Sequence, residues 1–482
     1  MPPLLDLSNE LLYKIIDHIH PDDILNFSLC RKEIYLLAKD AVSLHVQRKR
    51  MYEYIHLFGC HRHEDKIHPL HLVRNFCVDW RVGEYPKHLT LSCCEHPHDP
   101  YHLPDEEDKE DTRIYEVEKR ENDTISHNTM QAIQSYIKEK AAKAGFLEFD
   151  METVYREAKR GERIGMVTLL LLYVPHLESI CLARVTANYI LLLEHVIRFI
   201  AEQNMQRSPG AHKILMNLST IDIDGSHNEE RRENFDFFIL FAALPSVRKI
   251  YGDFVLGDGP CLFDWTYPAH TSNVTTVFLS NSAVRIEHLE QLLLGIKSLT
   301  VFHYEHNPDI ANGHGMQTSK VIAALSKHVS HSLESLRLDG QCSIDWNDDD
   351  VDFDHRWLQG FEILKEVFIH IRLYVECAPY PETSLHGAFE EKSMNPLVYV
   401  LPPSIETVII YGPEAFVRAS DLLVDLAEEK NLRVPRLNTI TLLDMDNQYD
   451  EGFGKALKEV CAKVGVTLEI RCKRDERPEN PT

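Results

Sequence analysis

Residues 333–338 read LESLRL: an apolar residue, two others, an apolar residue, one other, an apolar residue. The last three positions alternate, which is strand periodicity, so Leu336 and Leu338 face one side and Arg337 the other. The same phrase recurs at Leu177-Glu-Ser-Ile180-Cys-Leu182, Leu218-Ser-Thr-Ile221-Asp-Ile223 and Val274-Thr-Thr-Val277-Phe-Leu279. It returns at Leu364-Lys-Glu-Val367-Phe-Ile369, Ile405-Glu-Thr-Val408-Ile-Ile410 and Leu437-Asn-Thr-Ile440-Thr-Leu442. Leu299-x-x-Phe302-x-Tyr304 keeps the phase with aromatics, and Val247-Arg-Lys-Ile250 keeps part of it. Val73-Arg-Asn-Phe76-Cys-Val78 reads as an early, detached copy.

The nine later copies start at 177, 218, 247, 274, 299, 333, 364, 405 and 437, so they are separated by 25 to 41 residues. Helical phrases such as IEHLEQLLLGI (286–296) and KVIAALSKHV (320–329) lie between them. This unit resembles that of leucine-rich repeats, in which each short strand is followed by a helix or loop. The Asn that usually follows the strand is mostly missing, Asn307 being the one good candidate. The expectation is an α/β chain: a three-helix domain, then an irregular leucine-rich-repeat-like solenoid of short parallel strands alternating with helices or loops.

In such an array the apolar positions point inward and the alternate residues line the opposite, concave face. The residue between the last two apolar positions is Asp222, Tyr251, Phe278, His303, Arg337, Phe368 and Ile409 in consecutive copies. Two places on are Asp224, Asp253, Ser280, Glu305, Asp339, His370 and Tyr411. Side by side these form a ridge of aromatics flanked by acids. Aromatics and Arg anchor protein interfaces, and acidic rims steer basic partners. Tyr251, Phe278, His303, Arg337 and Phe368 are therefore candidates for binding a protein segment with apolar and basic residues. The other explanation is that inter-repeat loops cover them as ordinary packing.

The chain has 482 residues and a formal net charge of −24. That balance argues against binding to nucleic-acid backbones, which needs Lys and Arg to displace counterions. No signal peptide is expected, because Asp6 and Glu10 interrupt the first apolar run and no basic segment precedes it. Apolar stretches such as Met166–Pro175 are about half the length of a membrane span. Eleven cysteines in no framework spacing read as reduced thiols, hence a cytoplasmic or nuclear protein.

The first fifty residues read as three helices. In LDLSNELLYKIIDHI (5–19), Leu11, Leu12, Ile15, Ile16 and Ile19 recur at helical spacing, with Ser8 as N-cap and Glu10 at the positive dipole end. Pro21-Asp22-Asp23 opens a second helix with Ile24, Leu25, Phe27 and Leu29, and Ile34, Leu37 and Ala38 mark a third. Both opening helices are apolar around more of their circumference than a three-helix core can cover.

This stretch resembles an F-box. Family sequences run Leu-Pro, Glu, an apolar helix, an Asp-Leu-Leu-like segment, then Cys or Ser with basic residues and a closing helix. The matching residues are Leu7-Ser8-Asn9-Glu10-Leu11-Leu12, Ile15-Ile16, Asp22-Asp23-Ile24-Leu25 and Leu29-Cys30-Arg31-Lys32. Ser8 stands at the motif's Pro, and Tyr35 stands for the Trp common in the third helix. The resemblance implies a substrate receptor of Skp–cullin–F-box ubiquitin ligases, not itself an enzyme, that reaches a cullin through a Skp-type adaptor. Leu7, Ser8, Leu11, Ile15, Ile16, Leu25 and Leu29 are the implied adaptor contacts. The alternatives are a repeat scaffold whose first helices cap its own core and, more distantly, a metal-dependent enzyme.

Cys60-x2-His63 and Cys93-x2-His96 offer four N/S ligands, the number a structural zinc takes. Neither pair is a standard finger, so the expectation is a polar, histidine-rich loop, with no metal or other cofactor. DWNDDDVDFD (345–354) fails as a calcium loop, since Asp350 occupies the Gly position and Arg356 the bidentate Glu position. Gly257-Asp-Gly259 lacks the rest of a phosphate loop, and no zincin or nucleophile-elbow motif occurs. The expected organisation is helices over 1–50, a linking region over 51–104 and an acidic disordered loop over 105–127 opened by DEEDKED. The array follows over 128–472, led by helices near 128–144 and 151–160, with a disordered tail over 473–482.

Overall fold

The computed structural model describes residues 7–58, 69–92, 173–183, 190–205, 214–225, 235–257, 263–307, 318–340, 357–371, 396–412, 418–444 and 451–472. It also describes the single residues 135, 154, 156, 168, 170, 171, 261, 374 and 415. The chain divides into two compact units, Met1–Asp222 with Leu244–Ser246, and Ile223–Ala243 with Val247–Thr482.

The first unit opens with α1 (Asn9–His18), α2 (Ile24–Leu29) and α3 (Lys32–Tyr52). Ile16, Ile24 and Ala38, one from each helix, form its small apolar centre, packed round by Ile19, Phe27, Leu37, Ala41 and Val42. Strand β1 (Tyr54–Phe58) leaves α3 directly; α4 (Pro69–Val78), a 3-10 turn (Trp80–Glu84), β2 (His88–Ser92) and β3 (Ser179–Ala183) follow. The three strands pair in parallel and in order, with Ile55 beside Leu89 and Leu89 beside Ile180. Asp79 fastens α3 to the 3-10 turn by accepting from Arg48 Nη2 at 2.6 Å and Arg81 Nε at 2.9 Å. Burial alone would raise the Asp79 carboxyl, but the hydrogen bonds from Arg81 and then Arg48 outweigh it and hold it below the usual carboxylate range. His45 Nδ1 lies 3.2 Å from the Tyr85 hydroxyl across the same seam.

Strand β4 (Thr220–Asp224) spans the division between the units. The second unit carries β5 (Lys249–Asp253), β6 (Leu256–Gly257), β7 (Thr276–Val284), β8 (Val301–His306) and β9 (Ser335–Gly340). It continues with β10 (Glu366–His370), β11 (Thr407–Tyr411), β12 (Thr439–Asp444) and β13 (Thr467–Cys472). From β5 on, each strand lies parallel to the next in the order β5-β7-β8-β9-β10-β11-β12-β13, and β6 pairs in parallel beside β7. Helices at Ile286–Gly295 and Thr318–Val329 occupy the expected intervals. The inward positions Val277, Leu279, Phe302, Tyr304, Leu336, Leu338, Val367, Ile369, Val408 and Ile410 are all buried. Each such side chain removed from water is worth about 1.5–3 kcal/mol, which is why one phase is kept through so variable a sequence.

One backbone device repeats with the phrase. The carbonyl at its second position accepts two successive amides from the next copy: Thr300 O from Glu334 and Ser335, Glu334 O from Lys365 and Glu366, and Lys365 O from Glu406 and Thr407. Glu53 O takes Lys87 and His88 in the same way, and Lys87 O takes Glu178 and Ser179. The side chains at this position also pair, Lys87 with Glu178 at 2.8 Å and Lys365 with Glu334 at 2.6 Å.

One expectation is corrected, and strands beyond the copies read from the sequence extend the array. Val73, Phe76 and Val78 belong to helix α4, so they are not a strand copy; Val73 and Phe76 are buried one helical turn apart. The strand array opens at Tyr54, inside the stretch expected to be a linker, because Tyr52-x-x-Ile55-x-Leu57 and Pro86-x-x-Leu89-x-Leu91 carry the phrase with Tyr and Pro at its first position. It ends on β13, where Gly465 replaces that first apolar residue and Leu468 lies beside Ile440. The 105–127 loop, the 345–354 loop and the 473–482 tail lie outside the described residues, as do the helices at 128–144 and 151–160 save for helical Ser135, Val154 and Arg156.

Candidate protein-interaction surfaces

The strand register of the second unit sets Tyr251, Phe278, His303, Arg337, Phe368 and Ile409 side by side in one row. Their side chains touch in sequence. The ring centroids of Tyr251 and Phe278 are 6.2 Å apart, and His303 meets Phe278 edge-on at 3.9 Å. On the far side of His303, the Arg337 guanidinium carbon lies 4.0 Å over the Phe368 ring, and Phe368 packs on Tyr411 at 4.6 Å. Two residues on, Asp253 pairs with Ser280, Glu305 with Asp339 and His370 with Tyr411, while the β7–β8 register shifts between Leu279 and Ser282. Asp339 takes the Arg337 guanidinium at 3.4 Å, and Asp253 accepts from Ser280 at 2.7 Å and Asn281 at 3.0 Å.

Tyr251, Phe278, Arg337 and Phe368 are half-buried, but His303 is only 7% exposed. It is thus an interior spacer of the row rather than a residue lining its surface. Burial, and then the adjacent Arg337 charge, push its pKa down to about 3, so the imidazole is neutral at physiological pH. A neutral ring at that position adds no charge beside Arg337.

On the N-terminal helices, Leu25 and Leu29 lie one turn apart on α2 and are 41% and 76% exposed. Leu11 is exposed, and Leu7 and Ile15 are half-buried. Ile16 is a correction: at 3% exposure it belongs to the helical centre with Ile24 and Ala38 and presents nothing outward. Ser8 occupies the N-cap position without capping an amide; its hydroxyl bonds Glu10 instead, which holds that carboxyl below its usual range. Exposed Tyr13 and Leu36 enlarge the apolar surface and were not among the expected contacts. Leu36 sits beside Leu37 and Ala38 in the sequence, but the inward stripe of α3 runs through Ile34, Ala38 and Val42 and leaves it outside.

Cys60, His63, Cys93 and His96 lie outside the described residues. In the second unit, Cys261 Sγ lies 3.6 Å from Asp236 Oδ1, and His288 Nε2 lies 3.8 Å from the same oxygen. Burial, followed by the Asp236 charge, pushes the Cys261 thiol up to about 12, so it is protonated at neutral pH and is no activated nucleophile.

No family model matches the chain, and no curated protein matches it. Among solved structures it is similar to a chain in the crystal structure of the Rad7 and Elc1 complex in yeast, at 11% identity and a TM-score of 0.22. That similarity covers 76% of this chain and 98% of the other, and at such a score it carries no argument about function.

Proposed function

We propose that the chain is the substrate-recognition subunit of a Skp–cullin–F-box-type ubiquitin ligase. On this reading α1–α3 bind a Skp-type adaptor, and through it a cullin, while the strand rows of the second unit hold a protein target. The chain does no bond chemistry; it raises the local concentration of target lysines near a conjugating enzyme. A cytoplasmic or nuclear location goes with the proposal.

The observation that carries the reading is the mismatch in α1–α3. Ile16, Ile24 and Ala38 form a small centre, with Leu12 and Ile34 also buried, yet Leu11, Leu25, Leu29 and Leu36 stand exposed around it. A soluble domain that leaves so many leucines in water is accounted for by a partner that covers them. The runner-up, a repeat scaffold without a ubiquitin role, is favoured by the Arg48–Asp79 and His45–Tyr85 contacts that tie α3 to the 3-10 turn before β2.

Co-purification of the full chain with a Skp-type adaptor separates the two. Leu25→Asp with Leu29→Asp is expected to cut adaptor capture tenfold or more while leaving the melting temperature in place, since both positions are exposed. Equal capture by wild type and variant, or none by either, ends the receptor reading.

A further inference from the structure

We propose that His20, Glu84 and His176 form a binding site for a divalent transition metal of the zinc and cobalt class. The three residues are 64 and 92 positions apart in sequence, and they come together from the α1–α2 turn, the 3-10 turn and the residue preceding the β3 repeat. His176 Nε2 lies 2.7 Å from Glu84 Oε2, His20 Nε2 lies 3.3 Å from the same oxygen, and the two Nε2 atoms are 3.2 Å apart. Donors bonded at about 2.0–2.2 Å to one ion are spaced about 2.8–3.6 Å in octahedral or tetrahedral geometry, which holds two edges of this triangle and lies just above the third.

Hydrogen bonding alone suits the triangle poorly. Two imidazole N–H groups directed at one carboxylate oxygen would bring their protons against each other, whereas one cation satisfies all three lone pairs. With the metal on Nε2, each ring proton sits on Nδ1. For His20 that proton faces the Asp22 carboxylate, 3.9 Å away, in exchange for the present 3.3 Å contact with the Asp22 amide. For His176 it faces the Asn217 side-chain amide at 3.3 Å, whose oxygen serves once the group is turned over. All three side chains are partly exposed, so water completes the coordination. Two imidazoles and one carboxylate suit borderline ions rather than calcium or magnesium, which take oxygen. The ion would clasp the turn after α1 to the turns that precede β2 and β3. Arg81 Nη1 already holds that first turn through the Asp17 carbonyl at 3.1 Å.

Titration of the full chain with cobalt(II) tests the site. Wild type is expected to show d–d absorption for one equivalent bound without a thiolate charge-transfer band. Glu84→Gln and His176→Ala are each expected to weaken that binding tenfold or more. The missing thiolate band separates this site from Cys60, His63, Cys93 and His96. A second measurement needs no variant: zinc(II) is expected to protect His20 and His176 of the wild type from acylation by diethyl pyrocarbonate, mapped by mass spectrometry. Unchanged cobalt binding in both variants, a thiolate band as the sole signal, or equal acylation with and without zinc overturns the proposal.

Discussion

In α1–α3 apolar side chains outnumber the interior positions available to them, whereas along β5–β13 the interior takes nearly every one. Ile16, Ile24 and Ala38 are buried while Leu25 and Leu29 face outward. In the strand unit the apolar phase is buried from Val277 to Ile410, and what faces outward is a row of half-buried aromatics, Arg337 and acids. The same residue type therefore has different consequences in the two places. An inward apolar side chain of the strands supports the fold, whereas Leu25 and Leu29 on α2 are left uncovered by it.

The sharpest way to break that contrast is to truncate one residue of each kind. Phe302 is fully buried on β8, and Phe302→Ala is expected to cost about 3–5 kcal/mol, from lost burial and the cavity left behind. Leu29→Ala, on an exposed position, is expected to stay within about 0.5 kcal/mol of wild type. Thermal melts of both variants check the pair, and similar losses would mean that Leu29 is structural.

Crowding inside the strand unit predicts a smaller effect. Gly252 takes the third apolar position of the Val247 copy because a Cβ there would lie 2.5 Å from Val255 Cγ2 and 2.8 Å from Phe238 Cζ. Gly252→Ala is expected to destabilise by about 1–3 kcal/mol through overpacking, read as a lowered melting temperature. A neutral substitution would show that this copy is loosely packed.

Gly252 also marks how far the array could be read from sequence. The phrase was visible wherever three aliphatic or aromatic residues held the phase, and Leu336, Leu338, Val367 and Ile369 lie where that phase put them. It was hidden where tertiary packing replaced one of the three: Pro86 before β2, Gly465 before β13, Tyr52 at the end of α3. It misled at Val73, Phe76 and Val78, because a spacing of three suits a helix face as well as the start of the repeat phrase. The row from Tyr251 to Phe368 follows from phase alone. The burial of His303 does not, since it depends on Phe278 and Arg337 from neighbouring strands. His20, Glu84 and His176 share no local spacing at all, and only the folded chain unites them.

The buried ring of His303 makes the strand row sensitive to acid. Its pKa is about 3 in the fold and about 6.5 unfolded, so below pH 6.5 the unfolded chain binds the extra proton. The stability tied to the neutral ring is complete above pH 6.5 and declines as the pH falls toward 3. At pH 5.5 that loss is on the order of 1 kcal/mol relative to neutral pH. Burial likewise lowers His45 and His328, but they titrate identically in a variant and cancel. His303→Gln is therefore expected to lose less stability than wild type between pH 7.5 and 5.5. Equal slopes would mean that the ring takes a proton in the fold as easily as in water.

The contact beyond His303 supplies the smallest effect and the finest distinction. The Arg337 guanidinium lies over Phe368 while Asp339 holds its edge, so Arg337 is oriented by its own neighbours before any target arrives. A side chain fixed in advance gives up less freedom on binding, which favours a row that binds over one that merely packs. A double-mutant cycle of Arg337→Met and Phe368→Leu measures that order directly. The expected coupling is about 0.5–1 kcal/mol, typical of a cation over an aromatic face at a partly exposed site. A coupling near zero would mean that Arg337 swings freely in solution and that neither Phe368 nor Asp339 fixes it in place.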